Sequence, residues 1–515
     1  VAPSLNTDPP SQTQKKKSRT KWLLLLCLLL VATGTASYLL YSGKLSSVTA
    51  GQLQTYLKSF QTDSDQQAQT LSSDSTAASA TATKKSTAFE EGLEAYRLSQ
   101  FAIAFEKFTQ AALENHPEAF YFLGRMHQNG EHVSKQYDLA FKNYTKGVAA
   151  GDVKANYGLG QLYRGGLGVK KNVKKAYALE QVALPAIQAR ADSNQYFWAT
   201  RLGTAYSEGL MNLPVNHEKA FHYSSIGAQQ DYASAEYNVG VAYQKGQGVK
   251  KDEKAAFTWF QRAAKDGFAK AIHNLGYMYA NGLGVKKNEA EAFNMYMLGA
   301  ERELEKSQYS LALAFELGKG VEKDKEWASI WYQKLAKKGN TDAIMRLAYL
   351  HYNAYLYPDP NLPDVQDLKK ALKWFEVAGN KGVGKALTQL GFIYYNDFEV
   401  PQDMPTAIKW FRKAAAQGEH IAQAQLGYFY LEGKGVEKDF QQAAQWFKKA
   451  ADQNNAFAQN HLANMYYYGK GIPVSSMSAI TLWRKAALQG NSDARNMLWK
   501  LGFEVPSAPS KTAAN

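Results

Sequence analysis

Apolar and polar residues alternate along most of this chain with the period of helices, and the helices come in pairs. In residues 274–300, NLGYMYANGLGVKKNEAEAFNMYMLGA, Leu275, Met278 and Tyr279 recur at helical spacing and form the apolar stripe of a first helix. Gly282-Leu283-Gly284-Val285 follows, a turn whose glycines accept positive φ, with Val285 placed to plug the core between the helices. Asn288 is placed to N-cap a second helix, and Glu291 stands where a capping box needs it; Asp252, Asp324 and Asp439 hold the same slot elsewhere. The second helix carries a large aromatic nineteen residues after a small residue on the first, at Trp259, Trp331, Trp410 and Trp446. The pairs Ala263-Ala264, Ala414-Ala415 and Ala450-Ala451 then allow close helix packing, and Gly267, Gly339, Gly418 and Gly490 end the second helix at C′.

The small residue returns most often at 36 residues: Gly240, Gly276, Ala312 and Ala348, then Gly391, Gly427 and Ala463. With Gly92, Gly124, Gly160 and Gly203 it marks eleven first helices, and a last half-unit near Leu498 reads as a cap. Glycine inside a helix costs about 1 kcal/mol against alanine, so a site that alternates the two predicts close approach by a packed neighbour. A repeat of this length predicts a solenoid, because one helix pair cannot bury its apolar face without the next.

The pattern L-G-x-x-Y-x-x-G-x-G-V-x-x-D, followed by A-x-x-W-F-x-K-A-A-x-x-G, resembles the Sel1-like repeat, a relative of the tetratricopeptide repeat, over residues 88–502. The resemblance implies an all-α fold, a right-handed α-solenoid of helix pairs, and a non-catalytic scaffold or adaptor role. Sel1-like proteins serve in cell-envelope, secretion and host-interaction settings. The concave surface of first helices would be the recognition groove, with aromatic and Arg/Lys anchors. The first unit, EGLEAYRLSQFAIAFEKFTQAALEN, lacks the glycine turn and looks like a plain tetratricopeptide hairpin, which suits a terminal cap.

Two spacings swell to 43 residues, Gly160 to Gly203 and Ala348 to Gly391. The first insertion lies after KKAYALEQVALPAI and is expected to lengthen that helix or its exit. The second, YNAYLYPDPNLPDVQD, replaces the glycine turn. Its Tyr352, Tyr355 and Tyr357 are a candidate partner-binding loop, against the plainer reading of a decorated surface turn.

Residues 22–41, WLLLLCLLLVATGTASYLLY, are uncharged and long enough as a helix to reach about 30 Å, the thickness of a hydrocarbon core. Lys15, Lys16, Lys17, Arg19 and Lys21 precede them, so residues 1–21 are expected in the cytoplasm and the remainder across the membrane. One transmembrane helix before the solenoid is thus expected, with a cleaved signal peptide ending near Gly34 and Ala36 as the alternative. Residues 42–87 are rich in Ser, Thr, Gln and Ala and read as a disordered linker, and 503–515 as a disordered tail.

Charge adds little. Of the net +14, residues 1–41 hold +4 and 42–87 hold +1, leaving +9 spread over the remaining 428 residues. No basic stripe emerges, so no nucleic-acid partner is expected. Cys27 is the only cysteine and excludes an intramolecular disulfide. The nine histidines form no ligand spacing, and the G-x-G elements are repeat turns rather than phosphate loops, so no metal, cofactor or catalytic residue is expected. The sequence reads as an envelope scaffold for protein partners in the bacterial periplasm. Endoplasmic-reticulum lumen or secretion after cleavage is the alternative location, and binding of envelope polysaccharide or peptidoglycan the alternative role.

Overall fold

The computed structural model describes residues 88–357, 368–397 and 400–505. The segments 1–21, 22–41 and 42–87 lie outside the described residues, as do 506–515 of the tail. No helix among the described residues is long and apolar enough to cross a membrane.

The described residues form 23 α-helices and no strands. The chain divides into two compact units, one ending at Lys287 with Glu301–Leu304 added, the other comprising Asn288–Ala300 and Glu305 onward. The first contains α1 (Ala88–Arg97), α2 (Phe101–Leu113), α3 (Pro117–Asn129), α4 (Tyr137–Ala149), α5 (Ala155–Gly165), α6 (Val173–Asp192), α7 (Tyr196–Glu208), α8 (His217–Ala228), α9 (Ala233–Lys245), α10 (Glu253–Lys265) and α11 (Ala269–Asn281). The second contains nearly all of α12 (Glu289–Glu301), then α13 (Glu305–Leu317), α14 (Lys325–Lys337), α15 (Thr341–Leu356), α16 (Leu368–Asn380), α17 (Gly384–Tyr395) and α18 (Met404–Ala416). It ends with α19 (His420–Glu432), α20 (Phe440–Asp452), α21 (Ala456–Tyr468), α22 (Ser476–Leu488) and α23 (Ser492–Lys500). Odd-numbered helices are first helices and even-numbered ones second helices, so each unit is an all-α solenoid of helix pairs.

The punctuation predicted from sequence sets these boundaries. The Asp252 carboxylate accepts from the Lys254 and Ala255 amides at 2.9 and 3.0 Å, and Asp324 and Asp439 cap α14 and α20 in the same way. Gly267, Gly339, Gly418 and Gly490 take φ of 77–90° just past their second helices. The second glycine of the turn also lets successive repeats approach closely. At Gly248, Gly284 and Gly320 a Cβ would run into the backbone carbonyl of His217, Glu253 and Glu289, at the start of the preceding second helix. Repeats are thus keyed backbone to backbone.

The small residue on each first helix is a packing seam. A Cβ on Gly240 would lie 2.7 Å from the Phe260 ring, and one on Gly427 2.7 Å from Phe447; Gly391 faces Phe411, and Gly124 faces Tyr144. Gly160 meets Glu180, Gly203 meets Ser224, and Gly276 is buried. Ala312, Ala348 and Ala463 are fully buried at the same position. The aromatic admitted by the seam is therefore the residue after the predicted tryptophan: Phe260, Tyr332, Phe411 and Phe447 are fully buried, whereas Trp259, Trp331, Trp410 and Trp446 are half-buried. Each of those indoles carries a cation three residues on, Arg262 at 4.4 Å, Lys334 at 5.2 Å, Lys413 at 4.6 Å and Lys449 at 4.2 Å. Gly427→Leu should destabilise α19 and α20 by about 3 kcal/mol through overpacking against Phe447. Faster amide exchange in those two helices, with little change in α1–α8, is the expected readout.

The first lapse in the period is a helical extension, and the second begins as one. The helix α6 runs 20 residues where α4 runs 13, and it continues through Pro185. The helix α15 runs 16 residues, and Tyr357 leaves it at φ −130°, ψ 76°; residues 358–367 of the second insertion lie outside the described residues.

Candidate interaction surface

Residues at i, i+4, i+7 and i+11 share a helix face. On first helices such a stripe distinguishes the two units. In α19 it is Ile421, Gln425, Tyr428 and Glu432; in α21 it is Phe457, His461, Asn464 and Tyr468. The counterparts are Glu118, Phe122, Arg125 and Asn129 in α3, and Phe197, Arg201, Thr204 and Glu208 in α7.

In the first unit this face is filled where α1, α3 and α7 meet, while Tyr277 on α11 keeps 48% exposure. Its array turns tightly enough that α1 meets α7: the Tyr196 hydroxyl donates to the Leu93 carbonyl at 2.9 Å, and Arg97 donates to the Gln230 carbonyl at 3.3 Å. Tyr96 packs edge-on against both Phe122 (5.5 Å) and Phe197 (6.1 Å), which also meet each other at 4.9 Å. Phe122 and Phe197 retain 1% and 2% exposure, so the expected open groove is absent here. Arg125 donates to the Tyr96 hydroxyl at 2.6 Å, and that hydroxyl donates to Glu131 at 2.6 Å. Burial pushes the Tyr96 phenol well above its usual range and keeps it a donor. The aromatics that would grip a partner grip the first unit itself.

In the second unit the stripe is open. Ile421 (44%), Phe457 (42%) and Tyr468 (58%) are exposed at its apolar end. Phe457 lies 4.3 Å from the His461 ring and 6.2 Å from Tyr428, while His461 stacks on Phe447 at 5.1 Å. Burial pulls the His461 imidazole below its usual pKa, so it presents a neutral ring. Lys434 stands 5.0 Å over the Tyr428 ring. Toward α15 and α17 the stripe becomes polar, with exposed Asp342, Arg346 and Lys385. Buried glutamines stiffen the helices behind it: Gln423 and Gln459 donate to the Ala415 and Ala451 carbonyls at 3.2 and 3.3 Å, and accept from Gln453 and Gln489 at 2.8 Å.

The three insertion tyrosines do not share one loop. Tyr352 and Tyr355 lie on the extended end of α15 and pack half-buried against the core of the second unit, Tyr352 with its ring 6.0 Å from Phe375. Only Tyr357 is exposed, at 75%. Among the described residues no three His, Cys, Asp or Glu side chains gather where they would hold a metal ion.

Comparison with known families accounts for the repeat. The Sel1 repeat matches ten segments, 117–152, 153–179, 199–232, 233–268, 269–303, 305–340, 341–383, 384–419, 420–455 and 456–491, which is well over half of the chain. The chain belongs to the Sel1 repeat family. Among the described helices the matches leave out the α1–α2 hairpin, α6 from Glu180 onward with the start of α7, and the terminal half-repeat α23. Among solved structures, the chain is similar to a protective antigen of uropathogenic Escherichia coli displaying an SLR fold, with 28% identity, 77% of this chain and 90% of that chain covered, and a TM-score of 0.42. It is also similar to a Sel1 repeat protein of Oxalobacter formigenes, with 30% identity, 48% and 96% coverage, and a TM-score of 0.39. No curated protein matches the chain significantly. Sel1 repeat proteins are typically protein-interaction scaffolds, and family membership here rests on the repeat matches.

Proposed function

We propose that the chain is a non-catalytic, membrane-anchored scaffold that binds a protein partner on the first-helix face of its second unit. One contrast carries this reading: the stripe is packed with the chain's own aromatics on α3 and α7 and left exposed on α19 and α21. Exposed aromatic and aliphatic side chains ringed by polar groups have the make-up of an interaction surface. The uncharged run at 22–41 behind five basic residues supports anchoring with the repeats on the translocated side, in a bacterial envelope.

The test uses the full chain in its own membranes. A chemical crosslinker is expected to capture one or a few discrete proteins, and Phe457→Asp should lose them without lowering the melting temperature. Equal capture by wild type and variant would contradict the reading. The half-buried indoles, each beside a cation, favour a second reading, binding of an acidic envelope polymer. Co-sedimentation with purified cell-wall material, unaffected by Phe457→Asp, would support that alternative.

A further inference from the structure

The terminal half-repeat breaks the seam rule. Trp499 stands 36 residues after Ala463, at the position where Gly391, Gly427 and Ala463 leave room for a buried aromatic of the next helix. Even a Cβ on Gly427 would lie 2.7 Å from the Phe447 ring, so an indole at this position bars any further helix of the repeat type. Trp499 is instead left 74% exposed.

Other exposed apolar side chains stand at the same end of this repeat, in slots that are polar elsewhere. Val474 (66%) replaces the lysine that precedes the caps of α14 and α20, Lys323 and Lys438. Met477 (82%) replaces Glu326 and Gln441. Helices α22 and α23 are joined through residues 489–491 and pack antiparallel, so the start of α22 and the end of α23 lie together. Phe503 adds a ring there, with the Arg484 guanidinium 6.0 Å from its centroid. Residues 468–488 and 497–505 hold Lys470, Arg484, Lys485 and Lys500 against Glu504 alone, and Asp493 begins α23 at its far end. An exposed indole among aliphatic side chains, ringed by lysine and arginine, suits the headgroup region of an anionic bilayer.

Building on the membrane-anchored reading above, we propose that this end of the second unit docks on the surface of an anionic lipid bilayer. Proximity comes from that reading. Residues 42–87 span at most about 160 Å even when fully extended. An anchor at 22–41 therefore keeps the repeats near the bilayer, where a weak surface contact suffices. Trp499, Met477 and Val474 enter the headgroup region, and Lys470, Arg484 and Lys500 meet lipid phosphates.

The test uses the full chain reconstituted in vesicles of phosphatidylcholine, alone or mixed with phosphatidylglycerol. A photoreactive phenylalanine analogue replaces Trp499 or, as a control, Tyr357, which is 75% exposed elsewhere in the second unit. Irradiation should join position 499 to lipid in the mixed vesicles, and position 357 to none. The yield at 499 should fall several-fold in high salt, in phosphatidylcholine alone, and with Lys470→Glu and Lys500→Glu combined. No lipid adduct at 499, or equal adducts at 499 and 357, overturns the proposal. An adduct of twice the chain's mass also overturns it, because a second copy then occupies this end. Equal yields from mixed and neutral vesicles overturn the preference for anionic lipid. Carbonate extraction reads the anchor separately. A chain that resists extraction without a lipid adduct at 499 keeps the anchor and loses the docking. One that is extracted yet gives the adduct keeps the docking and loses the anchor.

Discussion

Alanine at Gly248 is expected to destabilise the first unit by about 3–5 kcal/mol, far more than alanine at Gly246 two residues earlier, at about 1–2 kcal/mol. Both glycines have positive φ, 74° and 69°, so both substitutions pay for a left-handed backbone. Their surroundings differ. At Gly246 a Cβ would come 3.2 Å from the Lys251 Cβ, a contact that a slight shift relieves. At Gly248 it would run into the His217 carbonyl, backbone held by the hydrogen bonding of α8, which is capped by Asn216. The next repeat would have to separate from the one before it. Gly435 provides a control within the same fold, since a Cβ there would meet the Ile408 side chain at 2.7 Å instead of backbone. Chemical unfolding of Gly246→Ala, Gly248→Ala and Gly435→Ala should place Gly248→Ala clearly lowest. Equal losses at Gly246 and Gly248 would mean that the turns key repeats by φ alone. Because long repeat arrays melt in parts, amide exchange across α7–α10 is the more direct measure.

The second large effect is expected at Arg262. Its guanidinium bridges to Glu236 at 2.9 Å and Asp231 at 2.8 Å, and lies over the Trp259 ring. Glu236 is only 2% exposed, and its second carboxylate oxygen has no hydrogen-bond partner. Burial raises its pKa to about 7, against the lowering effect of Arg262. A folded-state value above the ordinary 4.5 means that the native protein holds this proton more tightly than the unfolded chain. Its contribution to stability is therefore full below pH 4.5 and is lost as pH rises toward and through 7, a loss on the order of 2–3 kcal/mol. Glu236→Gln should remove that slope and stabilise the first unit at pH 8. Arg262→Ala should cost about 3 kcal/mol at pH 8, because it strands a buried carboxylate, and should cost less at pH 5, where that carboxylate is protonated. Melting curves of the variants at the two pH values check this. A penalty for Arg262→Ala that is the same at pH 5 and pH 8 would show that Glu236 does not change protonation between them.

Local chemistry made much of the fold readable from sequence. Asp252, Asp324 and Asp439 cap their helices, and Gly267 and Gly339 end theirs, because caps and left-handed positions involve residues only a few apart. The seam was legible as a position; its partner was not. Trp and Phe or Tyr are consecutive in the second helix, and a turn of about 100° per residue decides which enters the core. Burial selects Phe260 over Trp259 and leaves the indole under Arg262. The placement of the insertion tyrosines has a related reason. No glycine interrupts the chain between Ala348 and Tyr357, so α15 continues to Leu356 and carries Tyr352 and Tyr355 into contact with the core.

The division between a filled and an open stripe could not be read locally. It depends on Leu93 meeting Tyr196 across 103 residues, a consequence of how the first repeats turn. A signal was nevertheless present. Phe122 occupies a stripe position that holds Gln389 and Gln425 in the second unit, and Phe197 one that holds Lys385 and Ile421; aromatics at outward positions need a partner within the chain or beyond it. For the first unit that partner is α1.

Site-specific photocrosslinking from the full chain in its native membrane tests the open stripe most directly. A photoreactive phenylalanine analogue at Phe457 reports on the first-helix face of the second unit, and the same analogue at Met477, 82% exposed on a second helix, reports on the opposite class of surface. If the open stripe is the partner site, position 457 gives a discrete protein adduct and position 477 gives none. An adduct from 477 with none from 457 would contradict it.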